Sequence, residues 1–246
     1  MKLNKQNNCS IFLTAGYPQL NSAPKLAQEL ENAGVDFIEL GIPFSDPLAD
    51  GPVIQETSAI ALNNGMTIEI LFEQVAEIKM NSTLPIVLMG YFNPIYTYGV
   101  ERFLKQCKAL GVDGLIIPDL EIDIYESEYR ILFEAYGVPL IFLITTATPV
   151  NRIRRIAKMS KAFIYLVSSS ATTGTKASFS KDQVQAFERI KALNLGVPIM
   201  VGFGIHNNET YRAVCNLFDG AIIGTAYLKS IARHVSTKDF VADIIG

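Results

Sequence analysis

The sequence has no tryptophan and only two histidines, His206 and His234, in 246 residues. Two isolated histidines cannot form a cluster of metal ligands, so we expect no metal site. The three cysteines, Cys9, Cys107 and Cys215, are odd in number and far apart. They form neither a disulfide framework nor a Cys-x-x-Cys motif, which favours a reduced, cytoplasmic protein.

Positive charge and long apolar runs are also scarce. The net charge is −3, which argues against nucleic acid as the main partner because phosphate backbones require basic patches. No apolar run is long enough to span a bilayer, and the N-terminus lacks a secretory pattern, so we expect no membrane association. Hydrophobic residues make up 49% of the chain, which is enough for a large core.

Short apolar runs alternate along the chain with segments of helical periodicity. The runs end near Gly, Pro, Asp or Ser and predict strands at 10–15, 37–42, 86–90, 114–118, 140–145, 163–167, 199–202 and 220–223. Apolar stripes and a Ser-x-x-Gln capping box predict helices, among them 23–33, 67–80, 122–136 and one that begins at Ser180. Four Gly-Val phrases predict a glycine that ends a helix and a valine that starts a strand.

Eight strands that alternate with helices favour a closed parallel barrel over an open, doubly wound sheet. No linker or low-complexity run interrupts the pattern, so we predict one domain over residues 1–246 with the α/β fold of a (β/α)8 TIM barrel. Catalytic groups of such barrels lie at the carboxyl ends of the strands. Polar residues collect at these ends.

Glu39 is a charged residue inside an apolar strand. Side chains alternate between the two faces of a strand, so Ile38, Leu40 and Ile42 share the face that suits helix packing, and Glu39 lies on the other. An apolar pocket would raise the pKa of this carboxyl toward neutrality and suit it to general acid–base catalysis. The alternative is a structural carboxylate held by backbone donors.

A loop with three prolines follows this strand and carries Asp46 and Asp50. Proline fixes φ and lowers the entropy cost of holding the two acids in place. Either acid is a candidate for an active site. Loop aspartates also form Asx-turns or cap helices, here one that begins near Pro52, and this alternative stays open.

Glycines after the last predicted strands indicate a phosphate site. Val-Gly-Phe-Gly-Ile at 201–205 ends the seventh strand, and Gly-Thr-Ala at 224–226 ends the eighth and leads into a short helix. Backbone N–H groups at a helix start can bind phosphate, and barrels commonly build phosphate sites from these two loops. The alternative is a pair of tight turns. The Ser/Thr-rich segment 168–179 has the composition of a lid, or of a plain surface loop.

The segment Glu-Leu-Gly-Ile-Pro-Phe-Ser-Asp-Pro-Leu-Ala-Asp-Gly-Pro at 39–52 closely resembles the signature of the tryptophan synthase α subunit family. Other segments resemble the family in the same order: Phe-Leu-Thr-Ala-Gly-Tyr-Pro (12–18), Met-Gly-Tyr-Phe-Asn-Pro (89–94), Ile-Pro-Asp-Leu (117–120), Val-Gly-Phe-Gly (201–204) and Gly-Thr (224–225). The resemblance covers nearly the whole chain. It implies a (β/α)8 barrel that cleaves indole-3-glycerol phosphate to indole and glyceraldehyde 3-phosphate.

The resemblance also implies residue roles. Glu39 would protonate indole C3 and deprotonate the glycerol hydroxyl, and Asp50 would stabilise the charge that develops at the indole nitrogen. Asp46 would belong to the loop that faces the partner subunit. The implied substrate-binding residues are Phe12, Tyr91 and Tyr165 around the indole, and Thr173, Gly174, Gly204, Gly224 and Thr225 around the phosphate and lid.

The implied partner is the tryptophan synthase β subunit in an α2β2 complex. Pyridoxal phosphate belongs to that partner, and this chain is expected to hold no cofactor. Docking is expected on the barrel rim, at 43–51 and 92–98. The chain departs from the family at Ser169, Ala171, Thr225, Glu121 and in its short N-terminus, and none of these changes removes a catalytic group.

Three other functions are alternatives. A free-standing lyase would perform the same reaction without a partner. Another phosphosugar barrel, such as an isomerase or epimerase, is disfavoured by the few histidines and the lack of a lysine at a strand end. An idle regulatory subunit is disfavoured because both Glu39 and Asp50 are present.

Overall fold

The computed structural model describes residue 3 and residues 6–168 and 179–246. Its strands are β1 (Asn8–Thr14), β2 (Phe37–Gly41), β3 (Ile86–Met89), β4 (Gly114–Ile116), β5 (Leu140–Ile141), β6 (Leu143–Thr145), β7 (Ile164–Val167), β8 (Ile199–Gly202) and β9 (Gly220–Ile223). Its helices are α1 (Ser22–Asn32), α2 (Pro52–Asn63), α3 (Ile68–Asn81), α4 (Phe92–Tyr98), α5 (Val100–Ala109), α6 (Ile122–Ile124), α7 (Arg130–Tyr136), α8 (Val150–Met159), α9 (Lys181–Lys191), α10 (Asn208–Cys215), α11 (Thr225–Ala232) and α12 (Thr237–Ile245).

All the strand pairs are parallel, and their spatial order is β5-β4-β3-β2-β1-β9-β8-β7-β6. Only Phe142 separates β5 from β6, so these two short strands are halves of one barrel strand. The first half pairs with β4 and the second with β7, which closes the sheet into an eight-stranded barrel. The predicted (β/α)8 fold is confirmed.

Two predicted elements are interrupted. The strand predicted at 140–145 is divided at Phe142, where the chain changes its pairing partner from β4 to β7. The helix predicted at 122–136 contains a π-helical turn, Tyr125–Tyr129, between α6 and α7. Within that turn the Ser127 hydroxyl donates to the Asp123 carbonyl at 2.9 Å. Such side-chain bonds compete with the backbone ladder of a helix.

The four predicted glycine turns have left-handed backbone angles, with φ between +66° and +89° at Gly34, Gly111, Gly137 and Gly196. The prediction that the next valine starts the strand is wrong, because each strand begins two residues later. At two of these sites an aspartate intervenes and bonds to the neighbouring strand. Asp36 Oδ2 accepts from the Cys9 N–H, and Asp113 Oδ2 accepts from the Ile86 N–H, each at 2.9 Å.

The two faces of β2 pack as the alternation predicts. Ile38, Leu40 and Ile42 belong to the apolar cluster between the barrel and its helices. Phe37 points to the interior and packs on Phe163, with ring centroids 5.6 Å apart. The described part of the chain has no helix that is both long and apolar enough to cross a bilayer.

Candidate active site

Glu39 lies in the interior of the barrel, on the same face of β2 as Phe37, and its side chain is 1% exposed. Its Oε2 atom has no hydrogen-bond partner in the structure. Burial raises the pKa of Glu39 to about 8, and the nearby charge of Asp50 contributes in the same direction. A carboxyl with this pKa is mostly protonated at neutral pH and can act as a general acid.

Asp50 lies in the loop between β2 and α2 and is half-buried. Burial raises its pKa to about 6, and a hydrogen bond from the Tyr91 hydroxyl opposes the rise. The same hydroxyl accepts a hydrogen bond from the Ala49 N–H at 2.9 Å. Asp50 does not cap α2, because the N-cap residue is Gly51. The helix-cap interpretation of Asp50 is therefore wrong.

Phe12 and Tyr165 occupy space that two glycines leave open. A Cβ at Gly41 would lie 2.5 Å from the Phe12 ring, and a Cβ at Gly202 would lie 2.0 Å from the Tyr165 hydroxyl. Both rings are buried in the interior cluster. The charges of Glu39 and Asp50 add to the effect of burial in raising the pKa of Tyr165, so this ring lies close to both acids.

The residues predicted to contact the indole therefore converge at one end of the barrel. Phe12, Asp50 and Tyr91 line a single cleft there, together with Ile54 and Ser58 of α2. Sequence reasoning missed the α2 residues. Their i, i+4 spacing, one turn after the acidic loop, was the available signal.

A second contact that the sequence did not reveal joins α2 to β1. The hydroxyls of Thr14 and Thr57 lie 2.8 Å apart in a buried hydrogen bond, and Thr57 donates to the Ile54 carbonyl at 3.0 Å. Thr14 is the last residue of β1, the strand next to the one that carries Glu39, and Thr57 lies in α2 after Asp50. The bond therefore fixes the helix that follows the acidic loop.

The predicted phosphate residues lie at the same end. Gly204 has φ +77° and is exposed, and Gly224 is the N-cap of α11, whose first residue, Thr225, is also exposed. A Cβ at Gly224 would lie 3.4 Å from Phe12 Cβ. Phe12 thus packs between the acid side of the cleft and the glycine side.

Other predicted residues are not part of this group. Asp46 is exposed and accepts a hydrogen bond from the Ser45 hydroxyl at 2.5 Å. Thr173, Gly174, Ser169, Ala171 and most of the predicted lid lie outside the described residues. Glu121, where the family frequently has proline, forms an ion pair with Arg152 at 2.8 Å.

A larger cavity, about 410 Å³, lies at the opposite end of the barrel and is lined by Cys9, Asp36, Tyr211 and Cys215 among others. The amino-terminal face of such barrels serves stability, whereas the carboxyl ends of the strands carry the chemistry. The two acids with raised pKa values lie at the carboxyl ends, so that cleft is the candidate active site. Within the described residues, no cluster of three or more acidic, His or Cys side chains could hold a metal.

Comparison with known proteins gives a family. The family described as "Tryptophan synthase alpha chain" matches residues 1–244. The tryptophan synthase alpha chain of Flavobacterium johnsoniae is 51% identical over 237 residues, which cover 96% of this chain and 94% of that protein. That of Bacteroides thetaiotaomicron is 46% identical over 225 residues, covering 92% and 88%.

The chain belongs to the tryptophan synthase alpha chain family. A solved tryptophan synthase alpha-subunit from Pyrococcus furiosus superposes with a TM-score of 0.90 at 35% identity, over 98% of this chain and 99% of that one. A solved tryptophan synthase from Mycobacterium tuberculosis matches with a TM-score of 0.84 at 26% identity, over 98% and 94%. The family, the lyase class and the role in tryptophan biosynthesis predicted from the resemblance are confirmed.

We predict that Tyr91→Phe raises the pKa of Asp50 further above its ordinary value. The hydroxyl that donates to the Asp50 carboxylate is lost, while the ring that packs on Phe44, 5.4 Å away, remains. The measurement is the titration of the Asp50 carboxyl by carbon-13 NMR, assigned by comparison with Asp50→Asn. Tyr165→Phe removes a buried hydroxyl that lies near both acids and is the control. An equal shift in both variants would show that the Tyr91 hydroxyl has no specific effect.

Proposed function

We propose that Glu39 and Asp50 cleave indole-3-glycerol phosphate by a retro-aldol reaction. The observation that carries this proposal is the difference in environment between the two acids. Glu39 is fully buried with a pKa of about 8, and Asp50 is half-buried with a pKa of about 6. Near neutral pH the first is mostly protonated and the second mostly ionised. A pair with separated pKa values can divide the acid and base roles.

The reaction follows from these protonation states. Glu39 gives its proton to indole C3, and the positive charge that develops at the indole nitrogen is stabilised by the Asp50 carboxylate. The Glu39 carboxylate then removes the proton of the glycerol hydroxyl next to the ring. That oxygen forms a carbonyl, the bond from indole C3 to the glycerol carbon breaks, and its electron pair returns to the ring. Indole and glyceraldehyde 3-phosphate leave, and Glu39 is protonated again.

The substrate is oriented by the two sides of the cleft. Phe12, Tyr91 and Tyr165 surround the indole. The phosphate lies against the backbone N–H groups after Gly204 and at the start of α11, at Gly224 and Thr225, where the helix N-terminus favours an anion. Thr173 and Gly174, which the family resemblance also assigns to the phosphate and lid, lie outside the described residues. Phe12 lies between the acid side and the glycine side of the cleft and packs against both.

The partner is the tryptophan synthase β subunit, in an α2β2 complex. The docking surface is the acidic loop, residues 43–51, with α4. Leu48 is 93% exposed on the loop and Tyr96 is 64% exposed on α4, and exposed apolar residues mark interaction sites. Tyr91 is the N-cap residue of α4, and its hydroxyl bonds to Ala49 and Asp50 of the loop, so contact with this surface reaches a catalytic acid.

The chain holds no cofactor of its own: among the described residues no lysine directly follows a strand to form a Schiff base, and pyridoxal phosphate belongs to the partner. Residues 1–246 form one barrel domain. The location is cytoplasmic, which agrees with three cysteines that remain free thiols.

We predict a bell-shaped dependence of kcat/KM on pH, with limbs near pH 6 and pH 8. Activity rises as Asp50 ionises and falls as Glu39 loses its proton.

Glu39→Gln keeps the shape but cannot transfer a proton, so turnover drops roughly 100-fold or more. The assay is indole release, with Glu77→Gln, an exposed glutamate of α3, as the control. Near-normal turnover of Glu39→Gln at neutral pH would reject the assignment.

We predict that Gly204→Val raises KM at least roughly tenfold, equivalent to ~1.4 kcal/mol of binding, with a smaller effect on kcat. The side chain enters the phosphate subsite at a left-handed backbone position, φ +77°. Gly196→Val is the matched control, because Gly196 has φ +70° and lies before the same strand at the opposite end of the barrel. Equal effects of the two substitutions would mean that backbone strain, and not the loss of a phosphate contact, explains the change.

We predict that the β subunit accelerates indole release by this chain and that Leu48→Asp weakens the complex by roughly tenfold or more. A charge at this position introduces an unpaired group into an apolar contact. Met80→Asp is the control, since Met80 is 77% exposed on α3 at the other end of the barrel. Sedimentation and indole release are measured during titration with the β subunit. No complex and an unchanged rate with the unmodified chain would indicate a free-standing lyase.

A further inference from the structure

Three buried side-chain atoms among the described residues have no hydrogen-bond partner: Ser10 Oγ, Glu39 Oε2 and Gln74 Oε1. Buried polar groups in folded proteins are nearly always hydrogen-bonded, so each exception requires a reason. Gln74 lies on α3, outside the barrel. Ser10 and Glu39 lie on the adjacent strands β1 and β2, and are 0% and 1% exposed.

The register of the barrel places these two side chains next to each other. Phe12 pairs with Glu39, and its ring contacts the position two residues further along β2, Gly41. Tyr165 pairs with Met200, and its ring contacts Gly202, again two residues further along. Interior side chains of this barrel therefore lean toward the second residue beyond their paired one.

Ser10 pairs with Phe37, and the second residue beyond Phe37 is Glu39. By the same geometry Ser10 lies beneath the Glu39 carboxyl, one layer deeper than Phe12. The other neighbours of Ser10 in the register, Phe37 and Ile222, are apolar and offer its hydroxyl no partner. Asn8, the next interior position below, donates its amide to the Asp219 carbonyl at 2.7 Å.

We propose that Ser10 is a positioning residue for Glu39, and that its hydroxyl donates a hydrogen bond to the Glu39 carboxylate when that acid is ionised. This inference rests on the proposed role of Glu39. The glutamate side chain has three rotatable bonds, so a change of rotamer can move Oε2 toward the hydroxyl.

A hydroxyl suits an acid that changes its protonation state within one catalytic cycle. Serine can donate to the carboxylate and accept from the carboxylic acid, because its hydroxyl is both donor and acceptor. Asp50 and Tyr165 are the titratable groups that face Glu39 from the acidic loop and from β7. Asp50 disfavours the ionised form of Glu39 by its charge. A bond from Ser10 favours that form and limits the rise of the pKa.

The test is to titrate Glu39 in the full chain by carbon-13 NMR with labelled glutamate, with the resonance assigned by its loss in Glu39→Gln. Ser10→Ala removes the donor, so the midpoint of Glu39 moves to higher pH, and the basic limb of kcat/KM moves with it. Ser10→Thr keeps a hydroxyl and restores the midpoint toward that of the unmodified chain. If Ser10→Ala does not fold, Ser10→Cys, with a weak donor of similar size, replaces it.

The control is Ser230→Ala. Ser230 is also buried, and its hydroxyl donates to the Tyr227 carbonyl at 2.7 Å, away from the acids. It is expected to lower thermal stability without moving the midpoint. An unmoved midpoint in a folded Ser10→Ala chain, or equal midpoints in Ser10→Ala and Ser10→Thr, would overturn the proposal. The titration reads the environment of Glu39 whether or not the residue is catalytic, so its failure is distinct from failure of the proposed function.

Discussion

The free-energy cost of burying the Glu39 carboxylate determines how the rest of the site is arranged. Moving a carboxylate out of water costs several kcal/mol, roughly, unless a partner compensates, and an unpaired acid therefore binds a proton. No cation faces Glu39 among the groups that shift its pKa. The barrel wall thus keeps a neutral acid at its centre, and two neighbouring acids can divide acid and base roles only where their pKa values differ.

Asp50 has a lower pKa than Glu39 because it belongs to a loop and not to the barrel wall. It remains half-buried, and the hydroxyl of Tyr91 favours its ionised form. If the loop were held only at its two ends, it could move and carry the Asp50 carboxylate away from Glu39. Tyr91 bonds to Ala49, and the pair Thr14 and Thr57 holds the helix that follows. Together with the prolines, these contacts keep the second acid near the first.

Much of the fold could be predicted from sequence, because alternation and glycine turns act over short distances. The interior position of Glu39 followed from the period of a strand, and the helix ends from Gly34, Gly111, Gly137 and Gly196. The break at Phe142 could not be predicted, since it arises where the sheet closes on itself. The Thr14–Thr57 bond and the relation of Ser10 to Glu39 could not be predicted, because the first depends on how α2 packs against β1 and the second on the register of β1 and β2.

The glycines of the strands explain why the register has chemical consequences. Gly41 and Gly202 have no side chain, and the rings of Phe12 and Tyr165 fill the space that a side chain at these two positions would need. A shift of one residue in the register would place the rings against Leu40 or Val201 and turn Glu39 to the helices. Packing and acid placement are therefore one constraint. Ser10, in the layer beneath the acid, is small and does not meet either ring, so a polar group can be placed there without displacing Phe12 or Tyr165.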